Sequence, residues 1–338
     1  MFAVCALLLC GLTASFNARA AEDAEQVYRV LNLVFSWDTG PKKAIYLNQT
    51  SLSFLVLGDW GMGNVAQQQV ADAMSEFAAH THVDLIMTTG DNFYPDGVQS
   101  VVDPLWKSYF EDVYLTSSLR GIPWYVVLGN HDYLGDINAQ IDYGAAHPDW
   151  RMPDRYHEVT INIKNGVSVQ MLFLDTNIAI DTYRARPDIF HHIDEVEWGD
   201  EVTWLRNRLA ASKAKWRLVY GHHPVYSSGT THGNTSELFS SLLPLFDGYR
   251  VNAYFAGHEH DLEHYKPPGL TNYYISGGGS GHRSVSPKPE SLFAGATAGF
   301  EYFRIDGDCM HVQFIDNLGN VIYQAVQPVS TGVSCPAP

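Results

Sequence analysis

Basic residues are scarce in this chain. Lys and Arg number 21 against 37 Asp and Glu, a formal charge of −16 over 338 residues. Nucleic acid is disfavoured as a partner, because phosphate backbones are gripped by clustered Lys and Arg. Any anionic substrate must be drawn in by a local positive centre, and a metal cluster would supply one. Cysteine is also sparse, with 4 in the chain. Linkers rich in Gly, Ser or Pro, low-complexity tracts and fixed-period repeats are missing. Beyond the N-terminus no run is long and apolar enough to span a membrane. What remains, 46% hydrophobic and 17% charged, fits a globular chain that can bury a substantial core as one large domain or two ordinary ones.

The first segment, residues 1–20, is an apolar run ending in small residues, with Ala18-Arg19-Ala20 as a cleavage site. It reads as a secretory signal peptide and is too short to cross a bilayer. The expected location is therefore secreted or lumenal. Cys5 and Cys10 would leave with the signal. Cys309 and Cys335 remain, either as a disulfide or as two buried thiols. Asn48-Gln-Thr and Asn234-Thr-Ser are acceptor triplets for glycans.

Five times a short apolar, β-prone run stops at a Gly and polar residues follow: SFLVL-GDWG, DLIMTT-GDNFY, WYVVL-GNHD, WRLVY-GHHP and NAYFA-GHEHD. Continuous apolar runs of this length suit strands covered on both faces. Helical spacing lies between them, with Val70, Met74 and Phe77 in one stretch, Val202, Leu205 and Leu209 in a second, and Leu238, Leu242 and Phe246 in a third. Alternating strands and helices predict an α/β sheet. Asn317-Leu-Gly-Asn reads as a hairpin turn between two late strands.

Functional groups of open α/β sheets collect beyond the carboxyl ends of the strands. Asp59, Asp91, Asn130, His222 and His258 are thereby expected on one rim. Each alone is weak, since an Asp after a strand commonly caps a turn and a lone His is commonly structural. Together these strand ends carry only metal-ligand types, joined by Tyr94 and by His260 two residues after His258. Without thiolates the set is not that of a structural zinc site. Mixed oxygen and imidazole donors suit iron, zinc or manganese. The donors outnumber what one ion can use, and a site of two ions about 3.5–4 Å apart accommodates them.

The series GDWG, GDNFY, GNHD, GHHP and GHEH, in this order, resembles the metallophosphoesterase superfamily, and within it the small purple acid phosphatases of the tartrate-resistant type. The resemblance implies an α/β sandwich of two stacked mixed β-sheets flanked by helices. It also implies a single catalytic domain over residues 51–330, after a lead-in at 21–50. It assigns Asp59, Tyr94 and His260 to a ferric ion, and Asn130, His222 and His258 to a divalent partner (Fe, Zn or Mn). Asp91 bridges the two.

The implied activity is acid hydrolysis of phosphate monoesters, of small molecules or phosphoproteins, by a metal-bound hydroxide. His131 and His232 would orient the phosphate and protonate the leaving group. His232 stands at a slightly longer interval from His222 than the family usually has. A phosphodiesterase or pyrophosphatase of the same superfamily, or iron-dependent redox activity, are the alternatives. The polar segment 177–199, with Arg184 and Arg186, resembles the exposed loop at which a protease activates tartrate-resistant enzymes; an ordinary surface loop is the alternative. His223 receives no metal, Asp175 and Asp261 are expected behind the ligands or in structural roles, and His191, His192 and His264 are expected to be solvated.

Overall fold

The computed structural model describes residues 44–337. The signal segment, with Cys5 and Cys10, and all of the lead-in before residue 44 lie outside the described residues. Within them, no helix is long and apolar enough to cross a membrane.

Two mixed β-sheets face each other. One has seven strands in the order Val321–Pro328, Cys309–Asp316, Gly299–Asp306, Ser51–Leu57, Leu85–Thr88, Trp124–Tyr125 and Trp150–Arg151. The other has eight: Ala44–Leu47, His157–Ile163, Ser168–Phe173, Trp216–Tyr220, Ala253–Ala256, Asn272–Ser276, Leu262–Tyr265 and Ser291–Gly295. Each of the five apolar runs that stop at Gly contains a strand, and the pairings of these strands with one another are parallel. They are shared between the sheets, three in the first and two in the second, so the expected rim belongs to a sandwich and not to one open sheet.

Alternation along each strand explains the layers, because successive side chains point to opposite faces. Phe54 and Val56 enter the core between the sheets, while Leu55 and Leu57 face an outer core. Met171 and Phe173 likewise point inward, and Leu172 and Leu174 outward. The inner layer is dense with rings: Phe54 stacks on Phe303 at 5.3 Å and Tyr220 on Phe255 at 4.6 Å. Helix Val65–His80 covers one outer face with Val70 and Met74, beside an aromatic cluster of Trp60, Trp106, Phe110, Trp124 and Trp150. Helices Trp198–Ala211 and Phe239–Gly248 cover the other with Leu205, Leu209, Leu242 and Phe246. These are the three stretches whose periodicity predicted helix. The first starts where Asn64 caps it, its side chain accepting from the Gln67 amide at 2.9 Å.

Cys309 and Cys335 form a disulfide, which ties the tail to a strand of the seven-stranded sheet. The turn at Asn317–Asn320 closes the hairpin as expected, with Gly319 at φ 82°. His264 corrects the sequence reading. It is buried, with its Nδ1 2.9 Å from the Tyr323 hydroxyl, its Nε2 2.9 Å from Asn272 Oδ1 and its ring stacked on Tyr274. A strand covered on both faces hides a residue for which the sequence offered no supporting context.

Candidate metal centre

The site is made by turns at the strand ends. Asp59, Asp91 and His258 each follow a Gly and stand at φ 56°, 51° and 69°. Side chains rarely adopt this left-handed region, Asp being among the more tolerant types. The turns hold one another in place. Asp59 N–H donates to Gly90 O at 2.9 Å, and His258 N–H donates to Asp59 Oδ2 at 2.9 Å. Gly129 is required by contact: a Cβ there would lie 2.2 Å from both the amide nitrogen and Oδ1 of Asp91.

All seven expected ligands converge. Around the Tyr94 hydroxyl lie Asp91 Oδ2 at 2.7 Å, Asp59 Oδ1 at 3.2 Å and His260 Nε2 at 3.2 Å. Around His222 Nε2 lie Asn130 Oδ1 at 3.1 Å, His258 Nδ1 at 3.1 Å and the second oxygen of Asp91 at 3.6 Å. The His222 ring is oriented by its other nitrogen, because Nδ1 faces the Thr89 carbonyl at 2.8 Å and can only donate to it. Its Nε2 is therefore a bare lone pair, directed at an amide oxygen and a carboxylate oxygen. Acceptors facing acceptors in a buried cluster call for a cation between them. The donor set fits such ions.

Electrostatics point the same way. Burial, then the negative charge of Asp91, pushes the Asp59 carboxyl well above its ordinary range. Burial and the same carboxylates raise the Tyr94 phenol. Burial holds His222 and His258 below the usual imidazole value and brings His260 down to about 3. Ionised oxygens in the cluster would thus repel one another, and its imidazoles favour the uncharged form. A bound cation inverts that logic, favouring the ionised oxygens and using the nitrogen lone pairs.

Behind the ligands, buried Asp132 accepts from the amides of Asn92, Phe93 and Gly129 and from the side chain of Gln140, which locks the Asp91 turn to the Asn130 turn. Burial and the charge of Asp91 raise its carboxyl to about 7.

His131 and His232 stand at the mouth. The His131 amide donates to Asp91 Oδ1 at 2.8 Å, and its ring packs against Tyr94 at a tilt of 44° with centroids 4.3 Å apart. Its Nδ1 faces Pro95 O at 2.6 Å. His232 lies over the His258 ring at 4.0 Å. Its loop is held by Glu259, whose buried carboxylate accepts from the amides of His232 and Gly233, and by Glu263, which accepts from Ser227 and from the Ser228 and Gly229 amides. Arg283 donates from Nη1 to His232 Nε2 at 3.0 Å.

Glu259, Glu263 and Arg283 are contributors that sequence reasoning did not single out. Glu259 carried a signal, since a residue between two ligands in an extended segment must point away from them. For Arg283 the only sign was a basic residue after the Gly-rich run at 277–281 in an acidic chain.

The remaining candidates divide. His223 is buried, with Nδ1 2.9 Å from Thr176 Oγ1, and one nitrogen of each of His222, His223 and His258 falls within 4.8 Å of the others. Asp175 lies behind the site, accepting from Tyr133 and from Asn177, and Asp261 is buried beside Glu259 and Glu263. The segment with the two arginines is less open than an exposed loop. Ile178 and Ile193 enter the core, and Arg184 pairs with Glu197 at 2.7 Å, while Arg186 is exposed and pairs with Asp188 at 2.9 Å.

Comparison with known proteins agrees with this geometry. The family model for calcineurin-like phosphoesterases matches residues 52–262. Purple acid phosphatase 3 of Arabidopsis thaliana is 35% identical, over 94% of this chain and 90% of its own. Human tartrate-resistant acid phosphatase type 5 is 33% identical over 82% and 91%. Among solved structures, GAP50, the anchor in the inner membrane complex of Plasmodium, matches with a TM-score of 0.73 at 28% identity, over 84% of this chain and 90% of its own. Purple acid phosphatase PPD1 of yellow lupin seeds shares the fold, with a TM-score of 0.61 at 15% identity over 86% of this chain and 57% of its own. The chain belongs to the purple acid phosphatases, a branch of the calcineurin-like phosphoesterases whose hydrolysis of phosphate esters depends on a dinuclear metal centre.

Proposed function

We propose that this chain is a secreted or lumenal acid phosphatase acting on phosphate monoesters, with one catalytic domain over residues 51–330. Asp59, Tyr94 and His260 would hold Fe(III), and Asn130, His222 and His258 a divalent ion. Asp91 would be shared. The observation that carries this reading is the position of Asp91. One of its oxygens lies 2.7 Å from the Tyr94 hydroxyl and the other 3.6 Å from His222 Nε2, so a single carboxylate faces both donor groups.

When bound, such a pair supplies Lewis acidity toward phosphate oxygens and activates water as the nucleophile. The side chains do the rest. Asp59, Asp91 and a Tyr94 phenolate offset only part of the charge of the two ions, which favours an anionic ester despite the acidic chain. His131 keeps Nδ1 against the Pro95 carbonyl, leaving Nε2 to deliver a proton to the leaving oxygen when the ring is charged. His232, leaning on His258, lines the opposite wall. Arg184, paired with Glu197, precedes Ala185, whereas exposed Arg186 precedes Pro187, a bond that Arg-directed proteases cut poorly, so the bond after Arg184 is the better candidate for an activating protease.

Metal analysis together with turnover of a nitrophenyl monoester and its diester at acid pH tests this reading. Iron with a second metal and a preference for the monoester are expected. A strong diester preference, or an active enzyme free of iron, would overturn it.

A further inference from the structure

Arg283 has a guanidinium without an acidic partner. Among the described residues its side chain makes one hydrogen bond, to Nε2 of His232, and it forms no ion pair. Most of its five N–H donors are therefore unclaimed by protein. Its amide donates to the carbonyl of His260 at 2.7 Å and its Nη1 lies 3.0 Å from His232 Nε2, which places the residue beside the candidate metal centre.

The backbone around it is fixed. Arg283 N–H donates to His260 O at 2.7 Å, Ser286 N–H to Ser228 O at 2.7 Å, and Thr230 N–H to Ser284 O at 3.2 Å. One turn earlier, Asn64 donates to Ser280 O at 2.9 Å and the Ser280 hydroxyl donates to Asp59 O. The loop is thus stitched to the ligand His260 and to the loop bearing His232, and the residue itself is partly open to solvent.

A planar guanidinium prefers a carboxylate or phosphate, which it can grip with two parallel N–H groups, to a single imidazole nitrogen. In a chain of net charge −16, a fixed cation at the mouth also raises the local concentration of anions. We propose that Arg283 is a specificity-determining residue that binds a second oxyanion, carboxylate or phosphate, carried by the substrate next to the scissile ester. This rests on the phosphatase reading and sharpens its substrate class to esters with two anionic groups.

Glycerol 2-phosphate and 2-phosphoglycerate present the same ester and differ by a carboxylate, so the ratio of their kcat/KM values isolates the second anion. The holoenzyme is expected to favour 2-phosphoglycerate. Arg283→Gln is expected to lower that ratio by about tenfold, chiefly through KM, since a charge-assisted hydrogen bond of this kind is lost. Arg283→Lys, which keeps the charge, should recover part of it. An equal fall for both substrates would mean that Arg283 only positions His232, and would overturn the proposal. So would a holoenzyme without preference. Failure of the metal-loaded wild-type protein to hydrolyse either ester would instead overturn the phosphatase reading, and this inference with it.

Discussion

Tyr94 and His260, 166 residues apart in the chain, bring a phenol oxygen and an imidazole Nε2 to within 3.2 Å of each other. The Tyr94 ring also packs on His131, so Tyr94→Phe removes the oxygen and keeps the packing. A ferric ion held by that oxygen should give a broad visible absorption band, and the variant should lose the band while the second metal stays. Absorption spectra paired with metal analysis check this. Retention of both iron and colour in Tyr94→Phe would place the phenol outside the coordination sphere.

Gly129→Ala tests the packing of the turns. Its Cβ would meet Asp91 at 2.2 Å, and either the carboxylate or the Asn130 turn must shift. Misplacement of a catalytic group by about 1 Å costs about a hundredfold in rate, so a fall of that order is expected, with reduced metal per chain. Normal metal content and kcat would show that the turns have slack.

His131→Ala should act mainly on kcat, lowering it about a hundredfold or more, because proton donation is felt in the transition state. Initial rates over a range of substrate concentrations separate the two parameters. A change confined to KM would move His131 from proton donor to phosphate binder.

His264 lies outside the metal centre and sets a stability profile of its own. Burial, opposed by the Asn272 hydrogen bond and assisted by the Lys266 charge, lowers its imidazole to about 4. An unfolded histidine titrates near 6.5. Between those values the unfolded chain binds a proton that the native state refuses, so stability is lost as pH falls from about 6.5 to about 4, by on the order of 3 kcal/mol. His264→Gln does not titrate. The stability advantage of wild type over this variant should therefore shrink by that amount between pH 7 and pH 4, as read from urea unfolding of both proteins. An advantage independent of pH would rule out a buried neutral imidazole.

The Cys309–Cys335 bridge spans a sequence separation of 26, and closing a loop of that length stabilises by about 3 kcal/mol. Under oxidising conditions Cys335→Ser should have a lower Tm than wild type, and reductant should lower the Tm of wild type alone, bringing the two together. Equal Tm values under oxidising conditions would show that the tail is held by other contacts.

The convergence of the candidate donors was legible in the sequence because a strand followed by Gly and a donor residue is a local pattern. Leu57, Thr88 and Tyr220 end their strands within a few residues of the side chains they bring together. Division of those strands between two sheets was not legible from the apolar runs, since it depends on pairings such as Ser51–Leu57 with Gly299–Asp306, far along the chain. His264 was misread for a related reason: its burial comes from Tyr274 and Tyr323, which no local pattern links to it. Arg283 escaped notice because it follows glycines and precedes no strand, and only the fold carries it to His232. Cys309 and Cys335 were visible as a pair, and their linkage was settled only when the C-terminal segment was seen beside its strand.

The backbone angles at Asp59 and Asp91 have an evolutionary consequence. Asparagine enters the left-handed region about as readily as aspartate, so Asp→Asn at either turn can keep its course while removing the charge that would hold an ion. It also relieves the repulsion between two buried carboxylates. A single codon change therefore lets this scaffold outlive its chemistry, and descendants of such a chain could be kept for their surfaces alone.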